Sequence, residues 1–168
     1  HVPLTAFDTI QSALSHRWGE SPYYQDLNGA WKFHLADNPI EAPKDFYMQN
    51  YDIEDWADIK VPGTWQMQGW GHNVYRNIPM PFGPYDPPRV PDYINPTGSY
   101  VRTFQVPDNW NGRRVYLHFD GVKSAYRVWV NGEYVGFDKG SMTAGEFDIT
   151  DFLKAGDNKL AVQVVRWS

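Results

Sequence analysis

Apolar and polar side chains alternate through most of the second half of the chain. Tyr100-Val101-Arg102-Thr103-Phe104-Gln105-Val106 alternates. Val115, Leu117 and Phe119 alternate with Tyr116 and His118, and Tyr126, Val128 and Val130 with Arg127 and Trp129. A period of two sends successive side chains to opposite faces, so each run predicts a half-buried strand. Asn131-Gly132 then predicts a two-residue type I′ hairpin turn, because both positions tolerate positive φ. Glu133 to Gly136 forms the returning strand. Glu146 to Ile149 predicts a short strand, Thr150 to Leu153 a helical turn, and Ala155 to Asn158 a further turn. Lys159 to Arg166 closes the series, with Leu160, Val162 and Val164 on the core face. Earlier in the chain, Trp31, Phe33 and Leu35 alternate with Lys32 and His34 after an Asn28-Gly29 turn. Ile59-Lys60-Val61 is a short strand stopped by Pro62-Gly63. Asp8 to Leu14 predicts one short helix with Asp8 as N-cap. In the polar stretch 36–58, Trp56 is expected to pack inward. About eight short strands and little helix predict an all-β fold, an antiparallel jelly-roll β-sandwich. Its core is expected to hold Trp31, Phe33, Phe104, Leu117, Phe119, Val128, Val130, Leu160, Val162 and Val164.

Residues 62–98 break this pattern. The stretch is rich in Pro and aromatics and has no periodicity, and loops of such length usually serve a function. Within it Trp65, Gln66, Trp70, His72, Asn73, Tyr75, Arg76 and Asn77 crowd together. Aromatic faces stack on the C–H faces of sugars, and Asn, Gln and Arg bond their hydroxyls. Protein interfaces favour the same residues, and a Pro-stiffened wrap covering the core would also use the aromatics. Composition leaves these readings open.

The 168 residues suffice for one domain with a real core, and 42% hydrophobic against 21% charged residues excludes disorder. A net charge of −5 speaks against a nucleic-acid partner, and no apolar run is long enough for a membrane span. With no Cys there is neither disulfide nor thiol chemistry. The start, His1-Val2-Pro3-Leu4, shows no signal peptide and suggests a processed or truncated chain, leaving bacterial cytoplasm or periplasm open. The five His (His1, His16, His34, His72 and His118) show no metal-ligand spacing. Ser124, His118 and Asp120 lie close in sequence without a nucleophile elbow. Glu146 and Asp148 share a strand face, but nothing in the sequence marks either as a glycosidase acid. No phosphate-binding loop is present.

Several runs carry a family resemblance. Ser21-Pro22-Tyr23-Tyr24-Gln25-Asp26-Leu27-Asn28-Gly29-Ala30-Trp31-Lys32-Phe33 is followed by Val61-Pro62-Gly63-Thr64-Trp65-Gln66-Met67-Gln68-Gly69-Trp70. Then come Tyr75-Arg76-Asn77-Ile78, Asn95-Pro96-Thr97-Gly98-Ser99-Tyr100 and Phe119-Asp120-Gly121-Val122-Lys123-Ser124-Ala125. Trp129-Val130-Asn131-Gly132-Glu133-Tyr134-Val135-Gly136 and the end, Glu146-Phe147-Asp148-Ile149 to Asn158-Lys159-Leu160-Ala161-Val162 and Arg166-Trp167-Ser168, complete the set. In order and spacing these resemble the N-terminal sugar-binding domain of glycoside hydrolase family 2 β-galactosidases, over nearly the whole chain from about residue 20. Residues 1–20 form an N-terminal extension, and 21–168 the jelly-roll domain.

The resemblance implies a non-catalytic domain of an enzyme that hydrolyses terminal β-D-galactosides with retention. Its two catalytic Glu belong to a (β/α) barrel outside these residues. The parent's Mg²⁺ and Na⁺ also depend largely on parts outside, and the domain itself is expected to hold no cofactor. Asn77 sits at the Asn of the family's Tyr-x-Asn run, which reaches the galactose pocket. Tyr75 and Trp65 are weaker substrate-binding candidates, and Trp65 fits packing of the loop equally well. A second family contributor, an Asp directly after Arg-Trp-Ser, falls beyond Ser168. Gly63-Thr64 departs from the Ser-Asn of many relatives. The expected partners are galactose or β-galactosides (bound weakly or not at all by this chain alone), the parent's other domains and a possible homo-oligomer. The alternatives are an autonomous carbohydrate-binding module and a protein-interaction or assembly domain.

Overall fold

The computed structural model describes residues 5–15, 17–73, 83, 86–91 and 93–168. Among these residues lie a short helix α1 (Ile10–Leu14) and eight strands. These are β1 (Gly29–Ala36), β2 (Ala57–Val61), β3 (Thr97–Gln105), β4 (Tyr116–Phe119), β5 (Ala125–Val130), β6 (Glu133–Asp138), β7 (Gly145–Asp148) and β8 (Asp157–Val165). Six build one sheet in the order β2-β1-β3-β8-β5-β6, and β4 pairs with β7 in a second. All pairings are antiparallel. The molecule is the all-β jelly-roll sandwich that the alternation predicts.

The core lies between the sheets. Trp31, Phe33, Leu117, Val128, Val130, Leu160, Val162 and Val164 are buried there, joined by Tyr126 and Ile149. Phe104 is buried as well, whereas Phe119 is only partly so. Phe119 ends β4 at the mouth of a cleft, and its ring meets Tyr126 edge-on at 5.0 Å. Burial of the Tyr126 phenol raises its pKa, and its Oη donates a hydrogen bond to Asp138 Oδ2 at 3.4 Å.

The outer face of the larger sheet is covered too. Phe46, Tyr47, Tyr51 and Trp56 pack over Val101, Trp129 and Ala161. Trp56 stacks on Phe46 at 5.9 Å. Trp56 thus packs inward, as expected, against the outer face of the larger sheet. Its polar neighbours let it turn toward either face, and the segment 37–56 crosses the outer one. Two lysines fasten this strap by its carbonyls: Lys32 Nζ donates to Trp56 O at 3.1 Å and Lys159 Nζ to Met48 O at 2.5 Å. Burial lowers the pKa of Lys159.

The hairpin turn forms as predicted, with φ of 55° at Asn131 and 92° at Gly132. β6 runs on to Asp138, past Gly136. The helix is capped by Thr9, not Asp8. Ser12 N donates to Thr9 Oγ1 at 3.1 Å, and Thr9 N donates to Ser12 Oγ at 3.3 Å. A reciprocal box satisfies two otherwise free N–H groups, which Asp8, one residue earlier, is not placed to do.

Candidate functional site

The aperiodic stretch opens with a 3₁₀ turn, Trp65–Gln68, laid over one end of the sandwich. Gly98 on β3 makes room for it. A Cβ built there would stand 2.6 Å from the Trp65 ring and 2.8 Å from Phe33. Trp65 fills this gap and is 6% exposed. Trp70 meets Phe33 edge-on at 5.3 Å. Gln68 lies along the free edge of β2, accepting from Lys60 N at 2.8 Å and donating to Lys60 O at 3.0 Å. Its amide thus continues the ladder where no further strand pairs.

Beyond Trp70 the segment is tied down at both roots. Arg166 Nη1 donates to His72 O at 3.1 Å, while its guanidinium lies 4.9 Å from the Trp167 ring centroid. At the return, Arg166 N donates to Pro96 O at 3.0 Å, extending the β3–β8 ladder past Thr97↔Val165. Pro96 has no N–H to continue it. The buried Asn95 side chain takes over: its Nδ2 donates to Trp167 O at 3.0 Å and its Oδ1 accepts from Trp167 N at 2.9 Å. Tyr93 Oη donates to Gly83 O at 2.9 Å. Both roots of the segment thus sit against residues 166–167. Tyr75 and Asn77 lie outside the described residues. Asn95, Arg166 and Trp167 were not singled out individually by the sequence reading, because a side-chain amide bonding a backbone 72 residues away leaves no periodic trace.

Beside this end runs a cleft of about 810 Å³ between the sheets. Trp31, Trp65 and Tyr100 line its floor, and Asn28, Gln66 and His118 are among its polar groups. Trp65 Nε1 is buried without a hydrogen-bond partner, and burial raises the Tyr100 pKa.

The other chemical candidates resolve into structural pairs. His118 Nδ1 lies 3.0 Å from Glu146 Oε1 across β4–β7, and its Nε2 lies 3.2 Å from Asp120 Oδ1. Ser124 Oγ donates to Val165 O at 3.3 Å, so its hydroxyl is bonded to backbone and not to His118. Asp148 accepts from Thr150 Oγ1 at 2.5 Å and pairs with Arg114. The Thr150 hydroxyl first, then Arg114, hold its pKa at about 2, so it stays ionised. A general acid must hold its proton near neutral pH, which Asp148 does not. Among the described residues no group of three or more His, Cys, Asp or Glu is arranged to hold a metal ion.

Residues 24–168 match the family described as glycosyl hydrolases family 2, sugar binding domain. The chain belongs to this family. The family 2 domain is 43% identical over 171 residues to a β-galactosidase of Priestia megaterium, covering all of this chain and 16% of that protein. It is 44% identical over 173 residues to a β-galactosidase of Halalkalibacterium halodurans, again over all of this chain and 17% of the relative. The family 2 domain therefore spans about one sixth of the length of these relatives. Among solved structures it is similar to a Bifidobacterium dentium β-glucuronidase complexed with coumarin-3-O-glucuronide, with a TM-score of 0.60 and 25% identity over 82% of this chain and 19% of that one. A Bacteroides uniformis β-glucuronidase gives 0.62 and 26% over 84% of this chain and 14% of that one.

Proposed function

We propose that this family 2 domain is the non-catalytic N-terminal unit of a larger β-galactosidase. The parent hydrolyses terminal β-D-galactosides with retention, through two Glu of a (β/α) barrel beyond these residues. Residues 21–168 form the unit, and residues 1–20 extend it. The domain supplies one wall of the galactose pocket and packs on the barrel. Asn77 bonds sugar hydroxyls, Tyr75 lines the same wall, and Trp65 supports it from beneath. The parent's Mg²⁺ and Na⁺ are held at the barrel's catalytic site.

The observation that carries this reading is similarity over all of this chain to the corresponding sixth of β-galactosidases, joined to one piece of geometry. His72 and Asn95, which precede and follow residue 77 in the chain, are both bonded to residues 166–167. The resemblance assigns pocket contacts to Asn77 and to the residue after Ser168, and the pinning supports a common location for them.

The test is an NMR titration of this chain with galactose and lactose, with activity of the longer polypeptide beside it. A partial wall does not offset the cost of association, so no saturable shift is expected up to roughly 50 mM sugar. Asn77→Ala in the longer polypeptide should raise KM for a nitrophenyl β-galactoside roughly tenfold, the loss of one or two hydrogen bonds. Saturable shifts clustered at residues 65–77 would instead favour the autonomous module. An unchanged KM would remove Asn77 from the site.

A further inference from the structure

We propose that Asn111 is a self-modification site, at which the chain converts its own side-chain amide to an isoaspartyl or aspartyl residue, and that this conversion loosens the N-terminal segment from the sandwich. The inference does not depend on the galactoside reading above. The reaction needs only water. Gly112 N gives up its proton to solvent hydroxide and attacks Asn111 Cγ. A new C–N bond closes a five-membered imide, and the amide nitrogen leaves as ammonia. Water then adds to one imide carbonyl and breaks its C–N bond, giving aspartate or, where the chain runs on through the side chain, isoaspartate. A glycine after the asparagine leaves the attacking nitrogen uncrowded.

The sequence holds three Asn-Gly pairs, at 28–29, 111–112 and 131–132, and the structure separates them. Attack requires rotation about the Cα–C bond of the asparagine, which swings its C=O and the next N–H together as one plane. At 131–132 the amide is locked. Asn131 Nδ2 donates to Phe152 O and Asn158 Oδ1, and its Oδ1 accepts from Lys159 N and Gln49 Nε2. At 28–29 the plane is held, because Arg102 Nη1 donates to Asn28 O at 2.8 Å and Gly29 pairs with Val61. At 111–112 both holds are missing. Both residues are exposed, and among the described residues no hydrogen bond reaches the Asn111 side chain, Asn111 O or Gly112 N. Trp110 to Arg113 is a type II turn, with φ −57° and ψ 133° at Asn111 and φ 75° at Gly112. Arg113 N donates to Trp110 O at 3.0 Å and closes it. The plane that must rotate is the central one of this turn, so it swings while both ends stay in place. A Cβ built at Gly112 would meet nothing within 4 Å, which leaves room for the swing.

Position 111 also stands between two anchors of the N-terminal segment. Trp110 Nε1 donates to Pro22 O at 2.8 Å, and the Arg113 guanidinium lies 3.8 Å from the Tyr23 ring centroid. Isoaspartate inserts a methylene into the backbone between Trp110 and Arg113 and adds a negative charge two residues from Arg113. The two anchors then lose their common spacing, and the segment they hold is freed.

The test is ageing of this chain in mildly alkaline buffer, followed by peptide mapping with mass spectrometry and by hydrogen–deuterium exchange. Each hydrogen bond that must break before attack slows the reaction roughly fivefold. Asn111 should therefore convert roughly tenfold faster than Asn28 and at least a hundredfold faster than Asn131. In urea the three pairs should convert at similar rates, which assigns the difference to the fold. Exchange at residues 17–24 should rise in the aged wild type and stay at its fresh level in aged Asn111→Gln, whose longer side chain closes the ring poorly. Equal rates at the three pairs in the folded chain would overturn the site, as would an Asn111 that keeps its amide while Asn28 converts. Conversion at Asn111 with unchanged exchange at residues 17–24 would overturn the loosening of the N-terminal segment.

Discussion

At the scale of single residues, side-chain amides repeatedly stand in for backbone. Gln68 and Asn95 each finish a ladder. Asn131 and Asn158 do more. Asn131 Nδ2 donates to Phe152 O at 2.8 Å and to Asn158 Oδ1 at 2.7 Å, while its Oδ1 accepts from Lys159 N at 3.0 Å. Asn158 Nδ2 donates to Lys154 O and Gly156 O, both at 3.0 Å. Asn131 also holds the left-handed turn conformation that β-carbons resist. Asn131→Ala should therefore cost about 2–4 kcal/mol, from the turn conformation and from bonding lost around the fully buried Asn158. Urea unfolding of this chain measures it. Gly98→Ala tests a different limit, since the new methyl would press on Trp65 and Phe33. Overpacking of this kind costs about 1–3 kcal/mol, and an unchanged urea midpoint would show that the 3₁₀ turn gives way freely. Asp148 sets an acid dependence. Its folded pKa of about 2 lies below its ordinary 3.8, so the ionised form favours the fold. That contribution is complete above about pH 4 and fades as the pH falls toward 2. Between pH 4 and pH 2 the melting temperature of the wild type should fall more steeply than that of Asp148→Asn.

At the scale of elements, the strands were legible and the surfaces that cover them were not. β1, β5 and β8 alternate because each has one face against the core, which is the condition under which a period of two appears. The Asn131-Gly132 turn was legible because its dihedral demand restricts the residues allowed. Segment 37–56 gave no such pattern. It lies across the sheet as a strap, held by ring contacts such as Tyr47 on Trp129, 4.9 Å apart, and by two lysines on its carbonyls. The inward packing of Trp56 was legible, whereas the face that it covers was not. The candidate site divides in the same way. Asn77 came from the resemblance, while Asn95 and Arg166 needed coordinates because their partners are distant in sequence. One element-scale prediction bears on the sandwich itself. β4 and β7 make a sheet of only two strands, and Leu117 is its buried anchor on β4. Leu117→Ala should cost about 2–5 kcal/mol, and an unchanged thermal melt would place that side chain outside the core.

At the scale of the whole molecule, exposed apolar surface is the telling feature. Ile10, Leu14 and Trp18 stand out in solvent. In the proposed parent, part of this surface is covered by further domains. Amides at 93–95 and 166–168 should then exchange more slowly in the longer polypeptide than in this chain alone, as hydrogen–deuterium exchange would show. Equal rates would place the contact elsewhere. The strand order carries one more consequence. β8 lies in the middle of the six-stranded sheet, between β3 and β5, yet it comes last in chain order among the eight strands described. Until residues 157–165 have left the ribosome, β1–β3 and β5–β6 are two unjoined ribbons, each with an open edge where the centre of the sheet belongs. Joining of the larger sheet thus waits until β8 has emerged, and during translation those edges are what a chaperone would meet first.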